Sequence, residues 1–144
     1  MIDANRAFAL DYREQVSDLL RGLAAPGSRP AVIHCADGKD RTGFAIAVVL
    51  SAVGVPRETV YEDFLLSNVL LERRAKLYAF LASLGSLFRV PGSEVRPLLE
   101  VRREYLEAAF AAIDEQYGSF DAYLSDGLGI DEPTLAQLRA ALTE

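Results

Sequence analysis

The sequence predicts an α/β fold that is mostly helical, with one strand–loop–helix unit at its centre and an abbreviated sheet. Three observations lead there. Apolar residues recur at helical spacing along most of the chain. One short apolar run, Pro30-Ala31-Val32-Ile33, has the length and content of a buried strand. That run feeds a glycine-containing loop which opens straight into an apolar helix.

In chain order, Phe8, Tyr12, Val16, Leu19, Leu20 and Leu23 fall at helical spacing, so the first element is an amphipathic helix stopping before Pro26-Gly27. The strand at 30–33 follows. From Thr42 to about Val53 the chain is apolar on nearly every side, which marks a central buried helix ended by Gly54 and Pro56. Another helix starts near Arg57, and a further one runs through Leu77, Phe80, Leu81 and Leu84. After a turn at Pro91-Gly92, Val101, Tyr105, Ala109, Ile113 and Tyr117 mark the next. Asp131-Glu132-Pro133 combines an N-cap with proline in the first turn and opens a last helix bearing Leu135, Leu138 and Leu142. All of these stripes are expected to be core-forming.

The 144 residues, 51% of them hydrophobic, suit one domain over 1–144 with a real core. No apolar run reaches membrane-spanning length, and Met1 to Arg6 lacks the basic start and apolar stretch of a signal peptide. A single cysteine excludes an internal disulfide framework and fits a reducing cytoplasm. The net charge of −6 argues against nucleic acid as a partner. One histidine and one cysteine without further clustered ligands make a poor metal site, and no cofactor box stands out.

The chemistry is concentrated in His34-Cys35-Ala36-Asp37-Gly38-Lys39-Asp40-Arg41-Thr42-Gly43, which holds the chain's only histidine and only cysteine. A thiol, a short loop, an arginine and a helix start are the parts needed to attack a phosphate ester. Backbone N–H groups of the loop and the helix N-terminus would hold a dianion and lower the thiol pKa from about 8.5 into the range of roughly 3.5 to 7.5. Gly38 permits positive φ and close approach of an anion. Arg41 offers a planar fork for two phosphoryl oxygens. Thr42 is placed to donate its hydroxyl to the Cys35 sulfur, and Gly43 keeps the first helical turn thin.

The decapeptide resembles the signature loop of the cysteine-based protein tyrosine phosphatase superfamily. Its Gly-Lys-Asp-Arg-Thr-Gly form is similar to the bacterial tyrosine phosphatase-like subgroup, whose members act on phosphotyrosine and in some cases phosphoserine or phosphoinositides. Gly54-Val55-Pro56-Arg57-Glu58-Thr59-Val60, Asp63-Phe64-Leu65-Leu66-Ser67-Asn68, Tyr105 to Ala109 and Tyr117-Gly118-Ser119 extend the resemblance over most of the chain from His34 onward.

The resemblance implies a protein tyrosine phosphatase-like fold and a phosphoric monoester hydrolase with a phosphocysteine intermediate. Cys35 would be the nucleophile, Ala36, Asp37, Gly38, Lys39, Asp40, Arg41 and Thr42 the phosphate cradle, and His34 the residue that orients the loop. Arg41 and the loop amides would stabilise the equatorial oxygens. Candidate acids for the leaving oxygen are Asp37 and Asp40, then Glu62 and Asp63; the subgroup's pattern favours Asp40. Lys39, one of two lysines, resembles a position that in phosphoinositide-active relatives holds a second phosphate. The expected partner is a phosphorylated protein or a phosphoinositide. A catalytically silent phosphate-binding module and, more weakly, a sulfur transferase are the competing readings.

One feature of the chain conflicts with its expected fold. Only Met1 to Ile33 precede the loop, most of that is helical, and a single buried strand leaves its N–H and C=O groups unpaired. Three solutions stand open. Strands are hidden in other segments, the chain is the C-terminal part of a larger domain, or another chain, such as a second copy, supplies the sheet edge. The superfamily's upstream acid-bearing loop has no match in the chain.

Overall fold

The computed structural model describes residues 1–85 and 100–143. Helices account for their regular structure: α1 Ile2–Leu10, α2 Arg13–Ala24, α3 Asp40–Ala52, α4 Arg57–Leu70, α5 Glu72–Gly85, α6 Arg103–Tyr117, a single turn α7 Phe120–Ala122 that runs into a π-helical turn Tyr123–Gly127, and α8 Glu132–Thr143. Among the described residues there is no strand and no sheet, which overturns the α/β class and the central strand–loop–helix unit. Ala31 to Ile33 carry no regular structure, and Val32, expected to be buried, is 87% exposed. A β-prone run becomes a strand only where another backbone completes its hydrogen-bond ladder, and nothing among the described residues does so.

The helices themselves largely follow their apolar spacing. α3 is the central element: Phe44, Ala47, Val48, Val49 and Ala52 are buried, and the helix is closed by Gly54 at φ 91° and Pro56. Its neighbours are α1 on one side and α4 on another, while α1 packs mainly along α6 and α2 along α8. The first predicted helix is two helices, interrupted at Asp11 and Tyr12. This break lets Ala9 turn towards α6 while Val16, Leu20 and Leu23 meet the other side of the core.

α4 and α6 are tied by stacked cations as well as apolar contact. The Arg57 guanidinium lies 3.7 Å from the Phe110 ring centroid, and that of Arg103 lies 4.3 Å from Tyr61 while its fork grips Glu58. Near the end of α4, Asn68 accepts the Val101 N–H at 2.8 Å and donates to the Val101 carbonyl at 2.9 Å. The chain is thus fastened back to the body after the excursion through α5. The expected turn at Pro91-Gly92 lies outside the described residues.

At the C-terminal end, Tyr123 is wholly buried and donates its hydroxyl to the Ala9 carbonyl at 2.9 Å, and burial pushes its phenol pKa up. Asp131 caps α8 as its sequence implies, accepting the Thr134 N–H at 3.0 Å. Leu135 and Leu138 are buried, but Leu142 is largely exposed. The α5 stripe departs furthest from expectation. Leu77, Phe80, Leu81 and Leu84 are helical as predicted, yet all face solvent and contribute nothing to the core.

Gly43 sets the distance between α3 and α4. A Cβ at this position would lie 2.6 Å from two carbons of the Phe64 ring, and Phe64 is itself buried. Gly43→Ala is therefore expected to lower stability by about 1–3 kcal/mol through overpacking, read as a reduced Tm in thermal unfolding followed by circular dichroism; an unchanged Tm would show that the two helices separate without cost.

Candidate active site

The site is built where a loop meets the buried end of α3. Ala36 to Lys39 form a succession of bends, and Gly38 takes φ 68°, a conformation that favours glycine. Lys39 occupies the N-cap position of α3, so Asp40, Arg41 and Thr42 form the first helical turn rather than the loop. The orphan N–H groups of that turn have no intrahelical partner and face the segment before it.

Cys35 is a free thiol, partly buried, at the focus of these donors. Desolvation alone would push its pKa up. The Thr42 hydroxyl and the backbone N–H groups of Thr42, Lys39 and Asp37 outweigh that effect and bring it down to about 6. The Thr42 hydroxyl is buried and makes no well-formed hydrogen bond; its influence is exerted on the nearby sulfur. At neutral pH the group is therefore predominantly thiolate.

The charged residues divide into two kinds. Arg41 is exposed and has neither an ion pair nor a hydrogen bond among the described residues, which leaves its fork open to an anion. Lys39 points inward, 5% exposed, with its Nζ 3.4 Å from Asp40 Oδ2. The sequence pattern offered it to a second phosphate at the surface, whereas here it faces Asp40. The other carboxylate oxygen of Asp40, Oδ1, is buried without a hydrogen-bond partner. Asp37 is exposed on the loop, and His34 is exposed with its Nδ1 3.4 Å from the Cys35 carbonyl. Glu62 and Asp63 are exposed on α4 and do not line the groove in front of Cys35.

That groove has a volume of about 350 Å³. Cys35, Arg41, Thr42 and His34 form its polar end, and Phe8, Tyr12, Val16, Leu19 and Ile33 its apolar wall. The residues of α1 and α2 were missed as site residues by the sequence reading. Their spacing signals an apolar face, but only the turn at Asp11 and Tyr12 brings that face alongside the loop. The thiol, its donor Thr42 and the open guanidinium thus share one end of one groove.

A sequence model described as the tyrosine phosphatase family matches residues 1–144. The chain belongs to that family. It is 39% identical over 140 residues, 96% of its length, to a protein of Cupriavidus necator provisionally named a tyrosine-protein phosphatase, covering 48% of that relative. A triple specificity protein phosphatase, PtpB, of Mycobacterium tuberculosis is 40% identical over 128 residues, 83% of this chain and 46% of its own length. A tyrosine-protein phosphatase of Nostoc commune is 30% identical over 132 residues, 89% of this chain and 44% of its own length. The chain thus spans about half the length of the curated relatives it matches. Among the described residues no helix is long and apolar enough to cross a membrane.

The thiol pKa gives a direct test. Because it is lowered, the thiolate should dominate above the folded value and disappear below it, so the rate of iodoacetamide alkylation should rise with a midpoint near pH 6. Thr42→Ala should move the midpoint upward, towards the ordinary thiol range. A midpoint already in that range for the unaltered chain would mean that the donors do not converge on the sulfur.

Proposed function

We propose that the chain is a phosphoric monoester hydrolase that works through a phosphocysteine intermediate. Its substrates would be phosphotyrosine, with phosphoserine, phosphothreonine or phosphoinositides as further members of the same class. The observation that carries this reading is the Cys35 thiol, held near pKa 6 by the loop amides and the Thr42 hydroxyl, with Arg41, which has no partner among the described residues, lining the same groove. Family membership supports the reaction class, and the printed specificity of the mycobacterial relative supports a broad substrate range. The loop Gly38 to Gly43 also fits the bacterial subgroup with Gly-Lys-Asp-Arg-Thr-Gly.

The reaction has two displacements. Cys35 Sγ attacks phosphorus in line while the P–O ester bond breaks, and its electron pair leaves on the oxygen. Arg41 and the backbone N–H groups hold the three non-bridging oxygens, whose charge is greatest in the transition state. Asp40, as the acid, gives its proton to the leaving oxygen. Water then attacks the phosphocysteine, the P–S bond breaks to return the thiolate, and the water proton passes to the Asp40 carboxylate.

Asp40 supports this role through its place beside the cradle and its buried Oδ1, which has no hydrogen-bond partner among the described residues. The Lys39 ammonium lies 3.4 Å from the other carboxylate oxygen, Oδ2. A chain in which this ion pair serves only to shape the loop would bind phosphate without hydrolysing poor leaving groups, which is the silent phosphate-binding alternative. Ala36, Asp37, Gly38 and Lys39 complete the cradle through their backbone. His34, whose ring adjoins the Cys35 carbonyl, is assigned the orientation of the loop.

Turnover of an aryl phosphate by the purified chain separates the readings. Cys35→Ser should abolish release of phosphate while leaving oxyanion binding, and Arg41→Ala should damage both. Wild-type rates in Cys35→Ser would rule out covalent catalysis. Binding without turnover in the unaltered chain would identify a phosphate-binding module.

A second comparison tests the acid. Asp40→Asn should slow hydrolysis of alkyl phosphates by roughly 10²-fold or more, a typical general-acid contribution. It should have little effect on an activated aryl phosphate, whose leaving group needs no proton. Equal losses on both would assign Asp40 to holding the loop with Lys39.

A further inference from the structure

α5 is turned the opposite way from a helix of a water-soluble body. Its small residues Ala75, Ala79 and Ser83 are half-buried, while its largest apolar side chains point outward. Leu77 is 53% exposed, Phe80 59%, Leu81 49% and Leu84 47%. These four sit at i, i+3, i+4 and i+7 and form one continuous stripe. The end of α4 adds to the exposed apolar surface with Leu66, Val69 and Leu70, the last 81% exposed. Ordinary monomer surfaces carry scattered apolar residues rather than a helical stripe of them.

The charge around this stripe narrows the choice of occupant. From Arg73 to Gly85 the sequence holds three cations, Arg73, Arg74 and Lys76, and no acidic residue, in a chain whose net charge is −6. On a helical projection Lys76 falls on one flank of the stripe and Arg73 at its N-terminal end. Within α5 the acidic residue is Glu72, whose Oε1 lies 2.6 Å from Lys76 Nζ. Both partners are exposed, and such pairs are worth little. An apolar helical face rimmed by cations matches a surface that is apolar beneath and anionic above. At 14 residues α5 is too short to span a bilayer, so it would lie in the interface.

We infer that the outward face of α5 docks the chain onto an anionic phospholipid bilayer. Leu77, Phe80, Leu81 and Leu84 enter the acyl boundary, and Arg73 and Lys76 stay at the level of the headgroups. The site around Cys35 plays no part in this contact, so the inference stands or falls independently of the proposed hydrolysis.

Flotation of the full chain with lipid vesicles tests it. The chain is expected to float with phosphatidylcholine–phosphatidylserine vesicles and roughly tenfold less with phosphatidylcholine alone, since each cation near an anionic surface contributes several-fold. Phe80→Asp with Leu81→Asp should reduce partition by a further tenfold or more, with helical content unchanged in circular dichroism. Arg73→Gln with Lys76→Gln, which disturbs no packing, should weaken binding to the anionic vesicles only. Partition equal on the two lipids, partition insensitive to either variant, or no partition at all would overturn the inference. So would self-association of the unaltered chain that is lost in Phe80→Asp with Leu81→Asp and unaccompanied by lipid binding, because the face would then belong to a second copy.

Discussion

The convergence of backbone N–H groups on the Cys35 sulfur is the interaction on which the site depends, and the packing of α3 in the core holds it in place. Phe44, Ala47, Val48, Val49 and Ala52 bury that helix among its neighbours, so its first turn is fixed in space. The donors of the turn and of the bends before it are fixed with it. Gly43 allows Phe64 of α4 to press against this same turn. Packing two residues beyond Arg41 thereby determines where the thiol sits relative to its donors, and the lowered pKa is a property of the core as much as of the loop.

The local field is built from short-range groups inside an acidic chain. A net charge of −6 would repel an anionic ester at long range, but amide donors and a helix terminus act within a few ångströms and are little affected by charge farther away. Beside these donors, Lys39 Nζ lies 3.4 Å from Asp40 Oδ2. The other carboxylate oxygen has no hydrogen-bond partner among the described residues. A buried, incompletely satisfied polar group is costly in a resting protein.

Most of the site was legible because its chemistry is consecutive. Ten residues hold the thiol, the loop, the arginine and the helix start, so spacing alone brings them together. Helices were legible for a similar reason, as with α6, where Tyr105, Ala109 and Ile113 repeat and bury the same face. What failed depends on partners outside the window. Val32 is as β-prone as any buried residue, but a strand also needs a neighbouring backbone. Leu77 to Leu84 show that one face of α5 is apolar, not whether anything covers it. The period running from Phe8 to Leu23 continues across Asp11 and Tyr12, hiding the break that turns Phe8 and Tyr12 into a wall of the groove. The π-helical turn at Tyr123 gives no periodic signal at all.

The central claim is that the sulfur of Cys35 receives the phosphoryl group. The most direct measurement is mass spectrometry of the chain, rapidly quenched in acid during turnover of an aryl phosphate and digested to peptides. The expected result is one added phosphoryl group on the peptide containing Cys35, absent when Cys35→Ser is treated in the same way. Sustained turnover with no phosphorylated peptide, or with the phosphoryl group on any other residue, would contradict it.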